Sequence, residues 1–341
     1  MKACVVGAGA IGGLIAAYLA RAGHDVSAIA RGAHLAAMCE RGLTLRKGTD
    51  AFTVRVPASD DPESFGVQDV VFITLKAHGI GPMLTRLRPL IGSATVVVPA
   101  INGIPWWYFH GEGGRFAGSA IECVDPGGAM LAALEPSHIL GCTVLAAANV
   151  ADPGFVVQTT ATAGFTLGEL DGSASARAQR IVAAMNAAGM KADLTPRIRD
   201  AVWWKLLGNL AFNPVAALGC ARTDQIFTEP RAIDLIRAVM TEAIAVGHAL
   251  GISFPVTVEQ RIEVARNLGA FKSSMLQDVE QGRPIEVEAI VGVVVELAHR
   301  LGVPTPAVDA VYALARLRNA TLVSGSSRAA RQFPDGMLND R

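Results

Sequence analysis

Residues 2–31, KACVVGAGAIGGLIAAYLARAGHDVSAIAR, limit the possible folds more than any other stretch of the chain. Ala3–Val6 reads as a short buried strand, Ile11–Ala20 as a helix closed by Arg21 and Gly23, and Val26–Ala30 as the next strand. Gly7, Gly9 and Gly12 supply the GxGxxG spacing between the first strand and the helix. That spacing alone is weak, but a strand before it and a helix after it give it meaning. Gly7 permits a tight turn, Gly9 lets a pyrophosphate approach the backbone, and Gly12 lets the helix pack on the strand. The helix N-terminus then faces the phosphates. The run Gly7-Ala8-Gly9-Ala10-Ile11-Gly12 is therefore the candidate dinucleotide contact.

The second strand ends in Ala30-Arg31-Gly32, without the acid that would bind the ribose hydroxyls of NAD. A cation at Arg31 suits a 2′-phosphate, so the expected cofactor is NADPH. Val67–Leu75 and Ala94–Ala100 are near-continuous apolar runs that fit central parallel strands. Lys76 and Asn102 follow them, at the strand ends where open α/β sheets bind ligands. As a pair they point to the nicotinamide end of the site. Residues 39–57 alternate like a hairpin on the edge of that sheet. Pro105-Trp106-Trp107-Tyr108 either anchors the following segment in the core or forms an aromatic wall for a substrate.

From Ala117 to Leu170 the pattern is β-rich, followed by a helix over Ser175–Ala188 and a short strand at Lys191–Leu194. Everything after Thr195 is helical in pattern: 198–219, 229–250, 256–268, 273–282, 286–301 and 306–319. Thr228 with Pro230, and Thr305 with Pro306, read as helix starts. The expectation is an α/β fold, a Rossmann-type doubly wound sheet followed by an all-α C-terminal domain. The expected spans are 1–195, 196–322 and a polar tail at 323–341.

A chain of 341 residues is long for one domain, and 51% apolar residues suffice for two cores. Thirty basic residues balance thirty acidic ones, which gives no electrostatic reason to expect a nucleic acid or anionic lipid partner. The five cysteines are scattered, without CxxC or Cys/His metal spacing, as expected of small thiols in a reducing cytoplasm. The apolar N-terminal run imitates a secretory signal, but its four glycines weaken it as a helix and the fold needs it as a strand. No later stretch reaches the roughly 18 unbroken apolar residues of a membrane span. A cytoplasmic protein with a small-molecule substrate is the expectation; homodimer formation stays open.

The second constraint is VWWKLLGNLAFNPVAAL at 202–218, where Lys205, Asn209 and Asn213 recur every fourth residue of an apolar helix. At 3.6 residues per turn they form one slowly drifting stripe. Buried without partners, each would cost several kcal/mol. The stripe therefore reads either as a half-exposed polar face or as the wall of an active site with Lys205 as its proton-bearing group. Ser273 and Ser274 suit a helix N-cap, which also offers N–H groups and a hydroxyl to a carboxylate. Glu286 opens the next apolar helix, where the macrodipole favours an acid.

The chain resembles the ketopantoate reductase (2-dehydropantoate 2-reductase) family through about residue 320. The motifs that carry the resemblance are GAGAIG at 7–12, TLKA at 74–77, NG at 102–103, WWKLLGNLAFNP at 203–214 and SSMLQD at 273–278, followed by Glu286. The resemblance implies NADPH-dependent reduction of a 2-oxo acid to a 2-hydroxy acid. It makes Lys205 the general acid and Glu286 the group that positions substrate and lysine. It assigns Asn209 and Asn213 to the substrate's hydroxyl end, Ser274 to its carboxylate, and Asn102 and Lys76 to the cofactor and reacting centre. The chain departs from the family pattern at Val287–Gly292, Thr223, Ile101 and 106–108. Those departures keep two alternatives in view: a reductase of a bulkier 2-oxo acid, and a non-catalytic NADPH sensor.

Overall fold

The computed structural model describes residues Met1 to Gln332, with side chains through Ser324. The chain divides into two compact units, one of Met1–Val202 and one beginning at Trp203. The fold is α/β, with a parallel sheet in the first unit and helices in the second.

In the first unit, β1 (Lys2–Val6), β2 (Asp25–Ile29), β5 (Ala58–Ser59), β6 (Val70–Ile73) and β7 (Val96–Pro99) form a parallel sheet in the order β5-β2-β1-β6-β7. Strands β6 and β7 are apolar and buried along their length, and β1 is so after its exposed first residue, Lys2, as a sheet covered on both faces requires. From β1 the chain turns through helix α1 (Ala10–Arg21) to β2 on one side, and later enters β6 on the other. The carboxyl end of β1 is thus the switch point of the sheet, where open α/β sheets hold ligands. Helices α2 (Gly32–Arg41) and α3 (Ala77–Leu84) follow β2 and β6.

Residues 39–57 depart from expectation. Cys39–Arg41 end α2, and the hairpin β3 (Leu43–Lys47) with β4 (Asp50–Val54) lies in a separate sheet rather than on the edge of the main one. That sheet runs β4-β3-β10-β9, with β9 at Ala148–Asp152 and β10 at Phe155–Gln158. The cause is the apolar side of the alternation. Leu43, Leu45 and Val156 are fully buried, and a Cβ on Gly13 of α1 would strike Val156 at 2.8 Å. Glycine at 13 lets this sheet settle directly on α1.

The third sheet, β12-β11-β8, joins β8 (Leu140–Val144), β11 (Gly164–Glu169) and β12 (Lys191–Leu194), backed by helix α5 (Ala176–Ala187). Residues 119–124, expected as strand, are irregular at 119–121 and a turn at 122–124, and helix α4 (Ala129–Ala133) follows them. Asp125 accounts for the difference. Its buried carboxylate accepts the N–H groups of Met130 at 2.7 Å and Leu131 at 2.9 Å, which starts a helix there.

Trp106, Trp107 and Tyr108 are almost completely buried, so they anchor the core and form no substrate wall. Arg199 secures their segment by donating to the carbonyls of Tyr108 at 2.8 Å, Leu170 at 2.7 Å and His110. Burial lowers the pKa of this guanidinium. An Arg199→Met chain keeps the apolar stem but removes three hydrogen bonds to main-chain carbonyls. A loss of about 3 kcal/mol is expected, read as a lower urea midpoint with unchanged slope.

The second unit is helical: α6 (Ile198–Gly219), α7 (Thr223–Ile226), α8 (Pro230–Ala249), α9 (Val258–Arg266), α10 (Ser274–Glu280), α11 (Val293–Leu301) and α12 (Pro306–Gln332). Its first helix begins in the preceding unit. Helices α8 and α12 begin at Pro230 and Pro306 as expected, but the cap of α8 is Glu229 rather than Thr228. Glu229 accepts from Arg231 N–H, and Glu242 of α8 holds the N–H groups of Ala307 and Val308. The last helix also runs beyond 319, so the start of the expected tail, 323–332, is helical; 333–341 lies outside the described residues. Among the described residues no helix is long and apolar enough to cross a membrane.

Candidate active site

In the sheet unit the site begins at the glycine turn. Gly7 has φ +96°, a left-handed conformation that favours glycine. Its carbonyl accepts from Gly9 N–H at 2.7 Å and from the Thr74 hydroxyl at 2.7 Å. A Cβ at Gly12 would collide with that carbonyl and with Thr74 Oγ1, whereas a Cβ at Gly9 would meet nothing within 4 Å. The two glycines therefore serve different ends: Gly12 closes the turn, and Gly9 leaves the approach open. Neither a capping side chain nor an acid occupies the first turn of α1. Its N–H groups and positive dipole end face that opening, an arrangement made for an anion. Thr74 is a supporting residue that the sequence reading passed over; its only signal was its place in TLKA.

Arg31 is exposed at the N-cap of α2, one strand over from the glycine turn. Half-buried Lys76 holds the N-cap position of α3 after β6, and half-buried Asn102 lies in the turn after β7. Because β1, β6 and β7 are parallel neighbours in register, Gly7–Gly12, Lys76 and Asn102 share one edge of the sheet.

In the helical unit, α6 carries Lys205 and Asn209, both half-buried, and Asn213, which is buried. Trp203 faces away from this stripe and is a fully buried peg, edge-on to Phe254 at 6.4 Å. Pro214 has no N–H to return to the Leu210 carbonyl, so the helix lacks one backbone bond just after Asn213. Gly208, between Lys205 and Asn209, makes room for Arg261. A Cβ at Gly208 would lie 2.5 Å from the guanidinium, which stacks 5.2 Å from the Trp204 ring.

Ser273 caps α10 by accepting Leu276 N–H at 3.2 Å, which leaves Ser274 as the exposed hydroxyl of the pair. Glu286, half-buried, stands two residues before a π-helical turn at Glu288–Gly292 where a plain α-helix was expected. Thr223 is buried, and its hydroxyl and N–H both donate to the Phe271 carbonyl, so it ties α7 to the segment before α10.

A glycine-turn sheet followed by a helical unit with a lysine–asparagine stripe is the plan of an oxidoreductase that works with a nicotinamide dinucleotide. The class narrows on comparison with known proteins. Residues 3–106 match the family described as ketopantoate reductase PanE/ApbA, and residues 197–319 match its C-terminal part. A 2-dehydropantoate 2-reductase of Mesorhizobium japonicum is 43% identical over 93% of this chain and 97% of its own. One from Archaeoglobus fulgidus is 30% identical over 88% of this chain and 91% of its own. Among solved structures, the 2-dehydropantoate 2-reductase of Geobacter metallireducens superposes with a TM-score of 0.82 at 27% identity, covering 93% of this chain and 99% of that one. The chain belongs to the ketopantoate reductase family and is an oxidoreductase acting on a CH–OH group.

The cofactor of this family is NADPH, and the sheet unit fits such a group. The Gly12 position is closed to any Cβ, the Gly9 side is open, and the α1 N-terminus is uncapped.

Proposed function

We propose that this chain reduces 2-dehydropantoate to pantoate with NADPH. The observation that carries the reading is the stripe Lys205-Asn209-Asn213 on α6, in a chain 43% identical to a relative named for that reaction. Bound NADPH supplies the hydride that reaches C2 of the 2-oxo acid. As the C2=O bond is reduced, negative charge grows on the ketone oxygen. Lys205 donates the proton that completes the hydroxyl, and its positive charge stabilises the transition state before the proton moves. Glu286 orients substrate and Lys205. Asn209 and Asn213 hold the hydroxyl end of the substrate, and Ser274 takes its carboxylate. Lys76 and Asn102 serve the nicotinamide side, and Gly7–Gly12 the pyrophosphate. The expected domain spans, 1–195 and 196–322, would then separate cofactor binding from proton donation. Homodimer formation would leave this assignment unchanged.

The test follows NADPH absorbance with 2-dehydropantoate beside a panel of bulkier 2-oxo acids. Fast turnover with 2-dehydropantoate supports the reading. Turnover confined to bulkier acids would refute the substrate, and no turnover with tight NADPH binding would refute the enzyme assignment. The bulkier-acid alternative has lost its main support, because the aromatic cluster at 106–108 is buried core.

Arg31 is the proposed partner of the 2′-phosphate. Charge-assisted hydrogen bonds contribute about 1.5–3 kcal/mol, so Arg31→Ala should raise the KM for NADPH roughly 10- to 100-fold. The KM for NADH should stay within about twofold, since that cofactor lacks the phosphate. Equal losses for both cofactors would rule out this role.

A further inference from the structure

The segment around Glu286 is gripped from both sides by one face of α12. Val287 N–H donates to the Ile285 carbonyl at 3.0 Å, so Glu286 is the central residue of a three-residue turn. Upstream, the Ile285 N–H donates to Asn319 Oδ1 at 2.9 Å. Downstream, the Tyr312 hydroxyl donates to Glu288 Oε2 at 2.5 Å, and Arg316 Nε lies 3.6 Å from Glu288 Oε1. Tyr312, Arg316 and Asn319 are spaced i, i+4, i+7, which puts all three on one side of the helix. Their partners lie at 285 and 288, bracketing position 286.

Glu288 also begins the π-helical turn Glu288–Gly292. Such turns insert one residue into a helix and shift everything before them relative to everything after. Here the helix after the turn is fixed by buried Val293, Val294, Leu297 and Ala298. The register change therefore falls on the Glu286 side. Gly292 makes it possible: a Cβ there would lie 2.5 Å from Glu288 Oε2 and 3.0 Å from the Tyr312 ring. The exposed Arg316–Glu288 pair adds little by itself. The buried-side work falls to the Tyr312 and Asn319 hydrogen bonds.

We infer that Tyr312 and Asn319 are positioning residues for the reduction, acting through the turn and the π-helical segment to set the direction of the Glu286 carboxylate. The inference rests on the reading of Glu286 given under the proposed function. Neither residue touches the reacting atoms; each fixes a backbone group or carboxylate next to the one that does. Displacing such a group by about an ångström costs up to about 100-fold in rate.

The test is a double-mutant cycle on the full-length chain, with kcat, KM for both substrates, and thermal midpoint measured for every variant. Tyr312→Phe keeps the ring against Gly292 and removes only the hydroxyl. It should lower kcat roughly tenfold or more with the NADPH KM unchanged. Asn319→Ala should do the same, and Asn319→Asp, which keeps the oxygen that accepts from Ile285, should restore most of the rate. In a Glu286→Gln background, Tyr312→Phe should cost almost nothing further. A merely structural role would give equal losses in both backgrounds, or a lower midpoint with kcat intact, and either result overturns the inference. If Glu286→Gln alone keeps full activity, the underlying reading of Glu286 falls and this inference with it. If Glu286→Gln is inactive while Tyr312→Phe and Asn319→Ala turn over normally, only the inference falls.

Discussion

Replacing Lys205 with alanine is expected to lower kcat for 2-dehydropantoate by about 10²- to 10⁴-fold, the range that a positioned general acid supplies. Alanine is the best helix former, so α6 should survive the change. The neighbours Leu206 and Leu207 remain buried and keep the helix in place. The glycine turn proposed for the dinucleotide belongs to the other unit, so NADPH affinity, followed by its fluorescence, should stay within about twofold. Lys205→Arg separates charge from proton donation. The guanidinium preserves the cation but holds its proton far more tightly than an ammonium does, so it should recover only part of the loss. Full activity in Lys205→Ala would end the assignment of Lys205 as the acid.

The second large effect is expected from a single methyl group. In Gly12→Ala the new Cβ would meet the Gly7 carbonyl oxygen and Thr74 Oγ1. Neither can move aside cheaply. The Gly7 carbonyl is held by Gly9 N–H and the Thr74 hydroxyl, each at 2.7 Å, and the same hydroxyl reaches the Val6 carbonyl at 3.1 Å. The turn must open, which breaks the Thr74 contacts and tilts α1 away from β1. Overpacking costs about 1–3 kcal/mol and each lost hydrogen bond about 1 kcal/mol. The unfolding midpoint should fall by several degrees, and NADPH affinity by roughly 100-fold, which corresponds to about 2.7 kcal/mol. Calorimetry with and without NADPH separates the two effects. Unchanged affinity would show that the turn is not the phosphate cradle.

Where the determinants are local, the sequence revealed them. The strand–turn–helix of residues 2–21 and the length of α6 depend on spacing within a few turns of chain, and both are found as read. The placement of β3 could not be read in the same way. Alternating Leu43 and Leu45 mark a strand, but its partner β10 lies more than a hundred residues away, as in the pairing of Leu45 with Val156. Likewise Trp106 and Trp107 carry no sign of whether they face solvent, and only the packing around them does. The π-helical turn was invisible because Val287–Gly292 satisfies an α-helical pattern as well as a π one. Asp125 could have been read as a cap, yet its partners Met130 and Leu131 are farther along than the usual capping distance. For the proposed site, residue types and spacing pointed to Lys205 and Glu286, while Thr74 and the proposed supports Tyr312 and Asn319 make contacts that no short motif encodes.

Helix α6 has a consequence for how such chains can be recombined. It starts at Ile198, and Arg199 on its first turn is committed to carbonyls of the sheet unit, while Lys205 a few residues later belongs to the helical unit. A chimera joined before the helix would bring in a foreign Arg199 that must match the host's Tyr108, His110 and Leu170 backbone. A chimera joined after Val202 would cut the rod between that anchor and the lysine. Neither junction is silent. The two units are therefore expected to exchange poorly as blocks, and if the α6 stripe reads the substrate as proposed, preference should be swapped between relatives by exchanging side chains along α6.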